Sequence, residues 1–265
     1  MGWHAWTAIR LGLRRRSLLL LVILGVLVLS GAALAAGFSG RQPATLALDM
    51  ALSVFRLIGV ALALLWTQEL FTRDLERGTL ATALSFPLPR SHFALGRFLG
   101  VAGLLALTLA LYGSLIGLAG WLGGMGYNQP NPANNGWALM PVLGFLWVDL
   151  VTITAFTWLI ATVATTPLLP LGLGLAFAWA GRTLGPVLGY LAAQEQESRT
   201  TGFLDILSPL QWGLPGLHRL DIRDGLLYGH WPPAAEMAAA LANCGGFAVL
   251  LMALAVWQFN RRELG

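Results

Sequence analysis

Six stretches of the chain are almost unbroken runs of apolar residues. Each meets or approaches the roughly 20 residues that an α-helix needs to cross a hydrocarbon layer. They cover residues 17–38, 45–70, 95–122, 137–163, 168–192 and 235–259. The pattern predicts an all-α integral membrane protein of six transmembrane helices, with residues 1–265 forming a single domain. The fifth stretch is the least regular, because Arg182 and Pro186 interrupt it. A broken or tilted helix fits it as well as a straight one, because proline removes a helix hydrogen bond.

The polar residues between the stretches set the orientation. Arg10, Arg14, Arg15 and Arg16 precede the first, Arg73, Arg77, Arg90 and Arg97 lie between the second and third, and Arg261 and Arg262 follow the last. With six spans all three regions share one side. The other side carries Arg41, Arg199, Arg219 and Arg223 beside Glu195, Glu197, Asp205, Asp221 and Asp224. Ten arginines against four put both termini in the cytoplasm. The basic start, the apolar run and Ala33-Leu34-Ala35 imitate a cleaved signal peptide, but the run exceeds the usual apolar core of 7 to 15 residues, so retention is expected.

Composition agrees and narrows the chemistry. Hydrophobic residues are 57% and charged residues 11% of the chain, and the mean hydropathy is +0.70. A soluble domain carries about 25% charged residues. All 16 basic residues are arginine. Without lysine there is no Walker A motif, so the chain is not by itself a P-loop ATPase, and Schiff-base and Ser-Lys catalysis are excluded. The single cysteine, Cys244, forms no intrachain disulfide and no cysteine-rich metal cluster. The net charge of +4 follows from arginines beside apolar spans and calls for no nucleic acid.

The densest charges fall between the second and third spans, in residues 71–92. Here Glu69-Leu-Phe-Thr-Arg73-Asp74-Leu-Glu76-Arg77-Gly78-Thr79-Leu80 leads through Pro87 and Arg90 to Gly96-Arg97. Leu75, Thr79, Leu80, Leu84 and Phe86 line one helical face while Arg73, Asp74, Glu76 and Arg77 stay in water. This pattern describes a short amphipathic helix at the membrane surface. It also fits a solvated loop whose arginines only enforce topology. Trp3, Trp6, Ile9, Leu11 and Leu13, set among arginines, mark residues 1–16 as a second, interfacial helix.

These residues resemble a family. An acidic residue closing the second span, then Glu76-Arg77-Gly78-Thr79-Leu80, a short helix, Pro87-x-x-Arg90 and a Gly96-Arg97 entry to the third span are similar to the ABC-2 class of ABC exporter permeases, as is the ending Phe259-Asn-Arg261-Arg262-Glu263-Leu. Within that class, Leu214-Pro-Gly-Leu-His-Arg-Leu-Asp221-Ile-Arg223 resembles permeases associated with copper-enzyme maturation, with haem-exporter permeases a near alternative. The resemblance implies a type V exporter-like permease fold in a bacterial inner membrane. It makes Glu69, Arg73, Asp74, Glu76, Arg77, Gly78, Thr79, Leu80, Pro87 and Arg90 the segment that docks on a separate ATP-binding subunit. It implies two copies of that ATPase, a second permease copy as a homodimer, and room for a periplasmic accessory protein. ATP and Mg would belong to the partner subunit, with no cofactor on this chain. The N-terminal helix would touch the ATPase as well as anchoring the chain.

Charged residues inside the spans are the other functional candidates. Asp49 and Arg56 lie in the second, Asp149 in the fourth and Arg182 in the fifth. Each costs about 2.5 to 3.5 kcal/mol at a helix centre unless paired or wet. Arg56 and Asp149 lie at similar depths and are expected to meet near the midplane, with Arg182 within reach of Asp149. Asp49, near an outer end, is expected in water. These groups fix helix register as buried ion pairs or line a substrate path. Glycines recur at 96, 100, 103, 113, 117 and 120 and at 181, 185 and 189, spacings that allow close helix packing. Residues 193–234, rich in aromatics and prolines, are too short for another complete span. They form short outer helices, re-entrant or lying on the surface.

Catalytic patterns are weak. Gly37-Phe38-Ser39-Gly40 matches the Gly-x-Ser-Gly of rhomboid proteases, but His4, His92, His218 and His230 all lie outside the predicted spans, leaving no embedded base. His218 and His230 lack metal-ligand spacing. The expected function is a transport subunit moving a substrate outward with ATP hydrolysed elsewhere. The alternative is a secondary transporter or intramembrane enzyme using Arg56, Asp149 and Arg182.

Overall fold

The computed structural model describes residues 6–7, 9–10, 15–38, 42–72, 90–124, 136–166, 168–198 and 214–261. Along the chain these form α1 (Arg15–Phe38), α2 (Pro43–Thr67) with a π-helical turn (Gln68–Thr72), α3 (Arg90–Gly124) and α4 (Leu139–Val163). Then come α5 (Leu168–Ser198), a 3₁₀ turn (Leu217–Leu220), α6 (Arg223–Tyr228) and α7 (Ala234–Arg261). Six of the helices are long and apolar enough to span a membrane, over Leu21–Phe38, Pro43–Phe71, Ser91–Leu122, Leu139–Val163, Leu168–Leu191 and Ala234–Arg261. The all-α class and the six spans stand as the sequence predicts. The first turns of α3 extend the third span back to Ser91, which brings His92 into the helix that was expected to begin after it.

The fifth span is one continuous helix with Pro186 inside it. Proline takes away the N–H that would bond the carbonyl four residues earlier, at Arg182. The helix nevertheless continues through this turn, with the Arg182 side chain held by Asp149 and the segment before the last span packed on Gly181 and Gly185. Membrane helices tolerate proline where neighbours hold the broken turn.

α4 is the centre of the bundle. It packs on α2, α3, α5 and α7, while α1 lies outside against α2 and α3. Its threonines would be costly in hydrocarbon, but they bond carbonyls of their own helix. Thr152 Oγ1 donates to the Val148 carbonyl at 2.8 Å, Thr154 to Leu150 at 2.7 Å and Thr157 to Ile153 at 2.9 Å. The hydroxyls are thereby satisfied internally, and the faces of α4 that carry them are buried while Met140, Gly144 and Trp147 remain exposed on another. Residues such as Val22, Leu57, Leu107, Trp179 and Val249 are exposed around the outside, the surface a lipid-facing bundle presents.

With six spans the chain ends share one end of the bundle, the terminal end, and the segments joining α1 to α2, α3 to α4 and α5 to α7 share the distal end. An aromatic cluster ties the terminal end together. Phe71, in the π-helical turn, stacks on Trp158 of α4 with centroids 4.2 Å apart and lies 5.9 Å from Phe259 of α7, while Phe98 of α3 meets Trp158 edge-on at 5.8 Å. Such contacts add about 0.5–1.5 kcal/mol each beyond burial. The π turn rotates the end of α2 so that Leu70 and Phe71 point inward while Glu69 stays exposed. Arg261 sits over the Trp257 ring at 4.0 Å, at the end of α7. Near the N-terminus Ile9 rests on α3, where a Cβ at Gly103 would meet it at 3.4 Å.

Candidate functional site: a charge ladder beneath a distal cap

The residues before the last span fold back as a cap. Arg219 N–H bonds the Gly216 carbonyl at 3.0 Å and Asp221 N–H the His218 carbonyl at 3.2 Å, closing the 3₁₀ turn. α6 ends at Gly229, whose φ of 76° is a left-handed conformation that glycine adopts without strain. Leu217, Leu220, Ile222, Leu226 and Leu227 are buried, so the cap is seated by its apolar side. Two glycines of α5 make room for it. A Cβ at Gly185 would lie 2.0 Å from His218 Cε1, and one at Gly181 would lie 2.8 Å from Leu217 Cδ1. The small-residue spacing of α5 thus receives the cap and not a neighbouring transmembrane helix.

The cap places Asp221 and Arg223 against α2, whose Arg56 carries the pairing on to α4 and α5. On α2, Asp49, Ser53 and Arg56 follow one another at intervals of four and three, so they share a face. Arg223 of α6 donates to Asp49 Oδ1 at 3.0 Å and to Ser53 Oγ at 2.6 Å. Its Nε also lies 3.4 Å from Asp221 Oδ2. Asp221 accepts a close hydrogen bond from Arg56 Nη1. Arg56 Nε is 3.8 Å from Asp149 Oδ2 on α4, and Asp149 accepts a close hydrogen bond from Arg182 Nη2 on α5. Arg182 Nη1 in turn reaches the Arg56 carbonyl at 3.5 Å.

The order Asp49, Arg223, Asp221, Arg56, Asp149, Arg182 alternates in sign at every step and sums to zero. It runs from wet to dry. The side chain of Asp49 is 43% exposed, that of Asp221 22%, and that of Asp149 only 1%. Charges this far from water persist when each meets an opposite charge, which the alternation provides. A pocket of about 20 Å³ beside Arg56, Asp149, Asp221 and Arg223 has room for one water and none for a transported solute. In this conformation the ladder is a closed contact.

His218 lies where the cap meets α5. Burial lowers the pKa of its imidazole below the ordinary 6.5, and the cations Arg219 and Arg56 lower it further against a hydrogen bond to the Gly181 backbone.

The sequence-predicted residues divide cleanly. Arg56, Asp149 and Arg182 come together. Asp49 is partly in water as expected, but it also holds Arg223, which corrects the purely solvated reading. Asp221 and Arg223 entered the sequence reading only as outer-side charges and in the stretch that carries the resemblance, His218 only as a weak metal ligand, and Ser53 not at all. One signal pointed to them: Arg56 and Arg182 deep in the spans outnumber the one deep acid, Asp149, so a carboxylate had to come from elsewhere. Of the coupling residues, Glu69 lies in the π turn and Arg90 opens α3. Arg73, Asp74, Glu76, Arg77, Gly78, Thr79, Leu80 and Pro87 lie outside the described residues.

A family model described as ABC-2 family transporter protein matches residues 4–264. The chain belongs to this family. It is therefore a membrane permease subunit of an ABC transporter, and the six spans, the cap and the ladder are parts of an ABC-2 permease. A search of curated proteins finds no match. In the permease, Asp221 and Arg223 tie the folded-back segment to α2, and Arg56, Asp149 and Arg182 tie α2 to α4 and α5.

Proposed function

We propose that this chain is the membrane half of an exporter in a bacterial inner membrane, with both termini cytoplasmic. It works as a homodimer driven by two copies of a separate ATP-binding subunit. One observation carries the reading: Asp221 and Arg223 pin the cap to α2, and through Arg56 the pairing runs on to Asp149 of α4 and Arg182 of α5, a series of contacts that can be exchanged for water one rung at a time. Closure of the ATPase dimer pulls on residues 73–89. The movement passes through Phe71 and Trp158 into α2 and α4 and separates Arg56 and Asp221. The distal mouth, lined by α2 and α5, then opens outward. The chain performs no covalent chemistry, and ATP and Mg belong to the partner. The stretch 214–223, which supplies the pinning charges, is also what supports placing the chain beside permeases of copper-enzyme maturation.

The test is coexpression with the ATP-binding subunit encoded beside its gene. Co-purification and ATP hydrolysis are measured for the wild type and for the Glu76→Ala, Arg77→Ala double variant. Association lost in the variant supports the reading. Folded permease that binds no ATPase sinks it and returns Arg56, Asp149 and Arg182 to the role of a secondary-transport or catalytic site.

A further inference from the structure

Two openings border the cap. A groove of about 540 Å³ lies beside it, between α5 and α7, and the pocket of about 20 Å³ lies where it meets the charge ladder. The smaller opening has two unlike halves. On the bundle side Arg56 stands among Leu52, Val142 and Leu146, all three buried. On the cap side the chain runs Leu220-Asp221-Ile222, with both aliphatic residues buried. The cap therefore offers Arg56 a carboxylate set between two apolar side chains.

Arg56 takes its acceptors from the cap. Among the described residues its guanidinium makes two hydrogen bonds, from Nη1 to Asp221 Oδ2 and from Nη2 to the Leu217 carbonyl at 3.5 Å, and both end there. Its Nε is buried without one. On the helices Asp149 comes no nearer than 3.8 Å and is already held by Arg182. Arg56 lies about 20 Å along α2 from Pro43, near the middle of the span Pro43–Phe71. Asp49 is two turns away and partly in water. Separating Arg56 from Asp221 thus removes both acceptors together and leaves two arginines to the one carboxylate of Asp149. A surplus positive charge at that depth favours an anion, and the wall beside it favours an apolar one.

We propose that Arg56 is the binding group for an organic anion, a carboxylate or phosphate head on an aliphatic body, and that Leu220-Asp221-Ile222 holds its place while the distal end is shut. The inference rests on the exporter reading and names its substrate class. Once the cap lifts, the head takes the position of Asp221 on Arg56 and the body lies on Leu52, Val142 and Leu146. Cap and substrate compete for one guanidinium, so release of the substrate lets the cap return. Arginine suits either head, since its planar fork matches both carboxylate and phosphate.

The full-length permease in detergent is titrated with butyrate, butyl phosphate and butyramide at constant ionic strength, and binding is read by calorimetry. Asp221→Gly takes away the competing carboxylate and is expected to bind butyrate or butyl phosphate about tenfold more tightly than the wild type does. Whichever of the two binds more tightly identifies the head. Butyramide, the uncharged counterpart of butyrate, is expected not to bind, and adding Arg56→Gln is expected to abolish the anion binding. If Asp221→Gly gives no cooperative thermal transition, Asp221→Asn, which keeps the side-chain shape, carries the same expectation. Equal anion affinity in the wild type and the Asp221 variant overturns the proposal and leaves Asp221 a structural pin. Butyramide binding as tightly as butyrate, or anion binding that survives Arg56→Gln, overturns it too. The ATPase takes no part in this experiment, so a permease that gains the anion site yet binds no ATPase keeps the site and loses the exporter reading.

Discussion

Removing one charge from a buried ladder leaves its neighbours unpaired, and the cost depends on which rung is lost. Asp149 is buried between two arginines, so Asp149→Ala leaves Arg182 without a carboxylate and Arg56 with Asp221 alone. Losing one partner of a buried pair costs about 3–5 kcal/mol. Thermal unfolding in detergent is expected to show this loss. Adding Arg182→Leu is expected to return most of it, because Arg56 still has Asp221. A double variant no more stable than the single one would show that charge pairing is not what Asp149 supplies. At the wet end Arg223→Ala is expected to cost no more than about 1 kcal/mol, since exposed pairs are screened. At this scale the need for partners was legible, because charge in an apolar run is a local property. Depth along the helices also placed Arg56, Asp149 and Arg182 together, whereas the partners carried by the cap, Asp221 and Arg223, could not be read.

At the scale of elements, the cap is a short stretch that would be a surface connection without α5 to receive it. Its seat rests on the absence of a side chain at Gly185, where the His218 ring packs. Gly185→Leu forces the ring away and is expected to destabilise by about 1–3 kcal/mol, the cost of overpacking, whereas Gly189→Leu, facing open space, is expected to change little. The imidazole adds a pH dependence whose sign is fixed by its lowered pKa. Below the ordinary value of 6.5 the unfolded chain takes up a proton that the folded cap resists, so stability falls as pH drops from 6.5 through the lower folded value. His218→Gln is expected to remove that part of the slope in thermal midpoints measured from neutral to acidic pH. A slope unchanged by His218→Gln would mean that the ring titrates freely. The glycine spacing was visible in the sequence, but spacing does not say what fills the space, and a 3₁₀ turn filled it.

For the whole molecule the arrangement is a tight centre around α4 and a looser pair of outer helices, α5 and α7, separated by the groove. The terminal end is joined by Phe71, Trp158, Phe98 and Phe259, and the distal end by charges. Apolar stacking holds through a movement, while ion pairs can be exchanged for water. The two ends are therefore suited to transmission and to opening. Orientation is tested by single cysteines in a Cys244→Ser background labelled with a membrane-impermeant maleimide on intact cells. Asn131→Cys and Gly229→Cys are expected to react and Glu69→Cys and Arg262→Cys to stay protected; the reverse pattern would invert the exporter reading. The sequence by itself determined the number of spans, their places, the all-α class and the presence of deep charges that must be neutralised. These follow from hydropathy and helix length, which sum over neighbouring residues. Tertiary structure alone decided that Asp221 and Arg223 complete the ladder, that α5 stays whole through Pro186, that its glycines hold a cap, and that a groove opens beside it. Each of these depends on which distant segments share a depth in the bundle, and a charge in a connecting segment reads as solvated until folding carries it back against the helices.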